Sequence, residues 1–178
     1  MIQQSDEDLV NASRKGDRNA FKLLVERYEG KVAGVIKPML GNTAEAVDTG
    51  QEVFIRFYES LDNFKGESSL GTYLVRIAIN LSLNEIRKRK KRNSFFSPEE
   101  DGLNVNMENT NSDLREAVLY EVNRLDPDFK LVVTLRMMEG YSTEETAAML
   151  NIPLGTVLSR LSRAQKKLKS MLNKYFVV

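Results

Sequence analysis

An all-α protein of two small helical domains is expected from three features of the 178-residue sequence. Apolar residues recur at spacings of three and four in successive stretches, the period of one helix face. Cap residues, an early proline and terminal glycines mark where these stretches start and stop. Between residues 93 and 111 the period disappears. That polar, mildly acidic segment, with Pro98 and Gly102, reads as a flexible linker.

Ser5 followed by Asp8 reads as an N-cap with an acid three residues on, opening a short helix that Gly16 stops. Asp17 caps the next helix. There Phe21, Leu24, Val25, Tyr28, Val32 and Ile36 keep helical spacing until Pro38 and Gly41 close it. Asn42 with Glu45 opens a third helix, reaching about Ser60. Its inner face is Val47, Phe54, Phe57 and Leu61. Its outer face is Asp48, Gln51, Glu52, Arg56 and Glu59, which on periodicity alone is only a solvated surface. Residues 64–70 form a polar loop broken at Gly66.

The helix expected over residues 72–92 begins apolar and ends basic. Leu74, Ile77, Ala78 and Leu81 make one buried face, widened by Ile79, Leu83 and Ile86. Arg76, Asn80, Asn84, Arg87 and Lys91 line a polar stripe on one side. Amides can pair bidentately with base edges, and guanidinium and ammonium groups meet phosphates. Six adjacent cations, Arg87 to Arg92, repel one another and ask for an anionic partner. A solvated helix end favoured by the macrodipole is the plainer reading. The amide stripe beside the charge favours nucleic acid.

After the linker, which begins near Phe95 and Phe96, Asp113 with Glu116 opens a second unit. Leu114, Val118, Val122 and Leu125 are expected to face inward. Asp126-Pro127 places proline at a first helical position, Phe129, Val132, Val133, Leu135 and Met137 carry that helix, and Gly140 ends it. Ser142 with Glu145 is a capping box, Asn151 suits a left-handed cap, and Ile152-Pro153 turns the chain. The last helix holds Val157, Leu161, Ala164 and Leu168 inside and Thr156, Ser159, Arg160, Arg163 and Lys167 outside. A short capped helix, a tight turn and a helix with a basic outer face are the parts of a helix-turn-helix.

Composition narrows the function classes. The 26 Lys and Arg nearly balance the 25 Asp and Glu, so the net charge of +1 hides a strong segregation of sign. There is no cysteine and no histidine, which removes disulfides, thiolate metal sites and the usual general base. With no Gly-rich phosphate loop and no clustered acids, an enzyme, a metal and a cofactor are all not expected. Nothing resembles a signal peptide or a membrane span, so a cytoplasmic protein without membrane insertion is expected.

The chain resembles the extracytoplasmic-function group of bacterial RNA polymerase sigma factors. The first-domain resemblance rests on Asp48, Gln51, Glu52, Phe54, Phe64, Tyr73-Leu74, Ile77-Ala78-Ile79-Asn80 and the run from Arg87. In the second domain it rests on Leu125, Gly140-Tyr141-Ser142, Glu145, Ala147 and the segment from Gly155 to Ala164, GTVLSRLSRA. The resemblance implies a region 2 bundle over residues 1–95, a linker at 96–112 and a region 4 helix-turn-helix over 113–178. Asp48, Gln51, Glu52 and Phe54 would bind core polymerase at the β′ clamp. Phe64, Lys65, Gly66, Glu67, Ser68, Arg76, Asn80, Asn84, Arg87, Lys88 and Lys91 would take the minus-ten element, with flipped non-template bases held by the loop and Asn80. Thr156, Ser159, Arg160, Arg163 and Lys167 would meet the minus-thirty-five element. Further partners implied are the polymerase β subunit and an anti-sigma factor, which could hold the protein at the membrane; in holoenzyme it would lie on the nucleoid.

The chain departs from the family's pattern at several points. Tyr73 stands where the family has tryptophan, Asn84 where an aspartate is usual, and Asp126 splits the usual Leu-Pro pair. Leu158 stands where a cation is common. A leucine can at most touch a thymine methyl, so weak reading of the minus-thirty-five element is expected, with help from a stringent minus-ten element or from another DNA-bound protein that recruits the holoenzyme. A free-standing helix-turn-helix regulator is the competing class; it would have no need of Asp48, Gln51, Glu52 and Asn80. A carboxylate nuclease is the more distant one.

Overall fold

The computed structural model describes residues 4–93 and 111–175, and every regular element among them is helical. The first group is α1 (Asp6–Arg14), α2 (Arg18–Leu40), α3 (Ala44–Glu59), a 3-10 turn (Leu61–Asn63) and α4 (Leu70–Asn93). The second is α5 (Asn111–Asn123), α6 (Pro127–Val133) running into a π-helical turn (Thr134–Met138), α7 (Thr143–Leu150) and α8 (Leu154–Leu172). The linker expected at 96–112 and the start it was given at Phe95 and Phe96 lie outside the described residues, except where α5 begins.

The caps form as side-chain chemistry dictates. Ser5 with Asp8 and Ser142 with Glu145 close reciprocal capping boxes, and Asn151 ends α7 at φ 52°. Several boundaries differ from expectation. Thr43, not Asn42, caps α3, accepting from the Ala46 N–H at 3.3 Å. Pro38 lies inside the last turn of α2, and the helix runs on to Gly41 at φ 78°. α4 also begins two residues earlier than the spacing from Thr72 suggests.

Three residues expected inside are exposed instead: Val47 (61%), Leu114 (38%) and Met137 (54%). In α3 the interior stripe runs through Ala46, Val53, Phe54 and Phe57, and Val47 lies to one side of it. In α5 the interior positions are Ala117, Glu121 and Val122. Glu121 escapes a periodicity count because it is charged. Lys174 at 2.7 Å, the Tyr175 hydroxyl at 2.8 Å and Arg124 at 3.2 Å hold its carboxylate. Burial alone would raise its pKa; the bonds from Lys174 and Tyr175 keep it below the ordinary glutamate value. Met137 is turned out by the π-helical turn, which shifts the phase of the residues after Val133.

The two groups share a core. Leu131, Leu135, Tyr141 and Met149 pack with Leu24, Ile36, Phe57, Leu74 and their neighbours from α1–α4. A smaller cluster, Val122, Leu125, Val133, Ala164 and Leu168, holds the second group together. Across the junction the Lys31 ammonium lies 5.0 Å from the Tyr141 ring centroid. Gly34 leaves room on α2 for Glu139: a Cβ there would stand 2.2 Å from its carboxylate oxygen. Burial raises the Glu139 pKa, with Lys31 pulling the other way.

Lys130 is the buried charge of this junction, 6% exposed. Its Nζ donates to the Met39 carbonyl at 3.3 Å and to the Asn123 carbonyl at 2.5 Å. These two contacts do not offset its desolvation, and nearby Arg89 adds repulsion, so its pKa is pushed down to about 8. A lysine whose folded pKa is lowered penalises the fold below that pKa. The penalty fades as pH rises from about 8 toward the unfolded value of 10.5, because the unfolded chain then binds more protons. Lys130→Met should therefore unfold at higher denaturant at neutral pH. The wild type should gain on the order of 2 kcal/mol relative to the variant between pH 8 and 10. Parallel pH profiles of unfolding free energy for the two proteins would exclude a strained ammonium.

Candidate nucleic-acid interface

α4 is amphipathic in three parts. Leu74, Val75, Ala78 and Ile79 are buried against α2 and α3, which turns Asn80, Asn84, Arg87, Lys88 and Lys91 to the exposed side and leaves Arg76 half-buried. The Arg87 guanidinium donates to the Asn84 side-chain oxygen at 3.2 Å, which links these two neighbours of the stripe across one turn. The basic run is not uniform. Arg89 is turned inward, donating to the Leu40 carbonyl at 2.9 Å and the Thr43 hydroxyl at 2.8 Å. Glu45 and Glu85 take further cations of the run: Arg92 lies 3.3 Å from Glu85, and Lys88 3.7 Å from it.

The loop before α4 is braced from below. The Phe64 ring packs on Tyr73 at 4.9 Å and on Phe57 at 6.1 Å, and the Tyr73 hydroxyl donates to Ser60 at 3.1 Å. Tyr73, at the position of the family's tryptophan, thus keeps the loop's root packed. Arg14, which no sequence pattern marked, donates to the Leu61 carbonyl at 2.9 Å and to the Phe64 carbonyl. It fixes both sides of the turn from the end of α1. A groove of about 400 Å³ lies between them, lined by Asn11, Arg14, Phe64, Lys65, Gly66 and Ser68. Gly66 takes φ 72°, and Lys65, Gly66 and Glu67 are exposed, with Phe64 and Ser68 half-buried.

On α3, Asp48 and Gln51 are exposed, and Glu52 is half-buried and paired with Arg56 at 2.7 Å. Phe54 sits apart from Asp48 and Glu52 but borders the same groove as Gln51. It is 9% exposed and lines an apolar groove of about 310 Å³ between α2 and α3. A second, polar groove of about 610 Å³ brings Asp48, Glu52 and Arg56 of α3 together with Asn84, Arg87 and Lys88 of α4. Part of each residue set, Asp48 and Glu52 from one and Asn84, Arg87 and Lys88 from the other, thus borders one groove, while Gln51, Phe54, Arg76, Asn80 and Lys91 do not line it.

α7 and α8 form the expected helix-turn-helix, with Val157, Ala164 and Leu168 inward. Thr156 is half-buried, accepting at its carbonyl from the Ser159 hydroxyl at 3.0 Å, and Arg163 is exposed. Arg160 reaches Asp128 at 2.6 Å, and Lys167 reaches Asp126 at 2.9 Å. The Lys167 hydrogen bond and charge hold the Asp126 pKa below the usual aspartate value. Leu158 is 50% exposed on the same helix. Among the described residues no cluster of acids could hold a metal ion, and no helix is long and apolar enough to cross a membrane.

Comparison with known proteins agrees with this arrangement. Sigma-70 region 2 matches residues 24–92, and sigma-70 region 4 matches residues 115–168. The chain is 35% identical to the ECF RNA polymerase sigma-E factor of Haemophilus influenzae, over 94% of its own length and 95% of that protein. It is also 35% identical to the ECF RNA polymerase sigma-E factor of Escherichia coli, over 92% of both. The solved structure of CnrH in complex with the cytosolic domain of CnrY matches 96% of the chain and 99% of CnrH with a TM-score of 0.68 at 22% identity, a likeness of fold. The chain belongs to the extracytoplasmic-function sigma factors of bacterial RNA polymerase.

Proposed function

We propose that the chain is a transcription initiation factor that binds core RNA polymerase, carries it to promoters and helps part the minus-ten duplex. The observation that carries this is the shared polar groove, where Asp48 and Glu52 of α3 adjoin Asn84, Arg87 and Lys88 of α4. A free-standing regulator needs only the helix-turn-helix, and gives no reason for that juxtaposition. The outer face of α3 docks on the β′ clamp, and the helix-turn-helix unit contacts the β subunit. An anti-sigma factor covers the protein when it is not needed.

Parting the duplex costs about 1.4 kcal/mol per step in stacking, and flipping a base a few more. The braced loop at Phe64–Ser68 and Asn80 offset this by holding the flipped base in a preformed site. Arg87, Lys88 and Lys91 attract phosphates without reading sequence. The two promoter elements lie roughly 25 base pairs apart, about 85 Å at 3.4 Å per pair. A compact chain of this length is only about 40 Å across. Reading both elements together therefore separates the two helical groups.

Run-off transcription with core polymerase tests the reading as a whole. Asp48→Ala combined with Gln51→Ala should lose co-elution with core polymerase while keeping the wild-type circular dichroism spectrum, since both side chains are exposed. Undiminished co-elution would remove α3 from the interface. Asn80→Ala should impair the open complex more than the closed one, because a base-holding amide acts only after strands part. Permanganate reactivity of the start-site bubble reads this, and equal loss at both stages would make Asn80 structural. Leu158→Arg should raise discrimination for the minus-thirty-five element about tenfold, the scale of a good base contact. A wild-type holoenzyme that already loses far more than tenfold on a scrambled element, with no gain in the variant, would contradict weak reading.

A further inference from the structure

Six consecutive cations ask for counter-charge, and the chain supplies part of it. Glu85, one turn back on α4, has a side chain only 15% exposed and lies 3.3 Å from Arg92, 3.7 Å from Lys88 and 3.9 Å from Arg89. Glu45, in the first turn of α3, lies 3.3 Å from Arg89 and 3.8 Å from Arg92. Both carboxylates line the polar groove beside Arg87 and Lys88. Their oxygens stand around the basic end of α4 in the way that phosphate oxygens would.

We propose that Glu45 and Glu85 are an internal stand-in for DNA phosphate and set the promoter selectivity of the factor by suppressing its sequence-independent DNA binding. The proposal rests on reading α4 as a DNA-binding helix. A cation already paired within the chain releases no counterion when DNA arrives, so it adds nothing to the salt-dependent affinity. Phosphate contacts carry no sequence information, so trimming them costs little on the promoter and much on random DNA. Arg89 shows the limit of the device. Held also by Leu40 and Thr43, it stays a structural anchor, whereas Lys88 and Arg92 are the cations that the carboxylates restrain.

The test uses full-length protein and a random-sequence duplex of about 25 base pairs, without polymerase, over a series of salt concentrations. Glu45→Gln with Glu85→Gln should bind that duplex roughly tenfold more tightly at low salt, the scale of about one ion pair at contact distance in the dielectric of water. Its plot of log affinity against log salt should steepen by about one to two, at about 0.9 per phosphate neutralised. In holoenzyme the same variant should show a reduced ratio of promoter to random-DNA affinity. Unchanged affinity and slope on random DNA would overturn the proposal. Should the double variant misfold, Glu45→Gln alone, at a partly exposed side chain, should give a smaller shift of the same sign, and no shift would overturn it. Failure of wild-type run-off transcription would instead strike the reading of α4 itself, a separate result from the slope comparison.

Discussion

The last turn of α2 ends in carbonyls that no following helical residue can satisfy, at the negative end of the helix dipole. Two cations from distant parts of the chain meet it. Arg89 of α4 donates to the Leu40 carbonyl, and Lys130 of α6 donates to the Met39 carbonyl. One ties the basic helix to the α2–α3 corner; the other ties the second helical group to the first. Their convergence also explains their mutual cost, since the Arg89 charge is among the causes of the lowered Lys130 pKa. Pro38 in the same turn adds to the demand, because it has no N–H for the helical bond to the Gly34 carbonyl.

The orientation of the binding surfaces follows from that anchoring. With Leu24, Val32, Val35, Ile36 and Met39 of α2 buried, α3 and α4 must lay their apolar stripes on it. Asp48 and Gln51 then face outward on one side and Asn80, Asn84 and Arg87 on the other, with the polar groove between. Arg89 and Arg87 are two residues apart on one helix and do opposite work. The first is spent on a helix end, and the second remains on the surface. Composition treats them alike, and only their angular position separates them.

That difference marks what the sequence could and could not tell. Caps and breakers act locally, so the boxes at Ser5 and Ser142, the left-handed Asn151 and the helix-turn-helix were all legible. Apolar spacing located the helices and most of the core. It failed at Val47 and Leu114, where two neighbouring stripes both look plausible and packing chooses one, and at Met137, where a π-helical turn breaks the phase. It was blind to Glu121 and Lys130, because a hydrophobic pattern has no way to place a charge inside. Arg14 was invisible for a related reason: its partners are backbone carbonyls, which leave no mark on residue type. The candidate residues on α3 and α4 were named one by one, but the meeting of Asp48 and Glu52 with Asn84, Arg87 and Lys88 in one groove needed the fold.

The character of the junction bears on how the two helical groups work together. Leu131, Leu135, Tyr141 and Met149 would make a stable apolar contact by themselves. Lys130 at its edge works against them, since burying an ammonium is unfavourable even with carbonyl acceptors around it. Glu139 is a half-buried acid at the same seam, beside Gly34, with its pKa raised by partial burial against the pull of Lys31. Apolar residues at both places would hold the groups together more firmly. The desolvated Lys130 therefore lowers the cost of parting the two groups. Release is what a factor must do if its two DNA-reading faces are to reach elements farther apart than its own folded width.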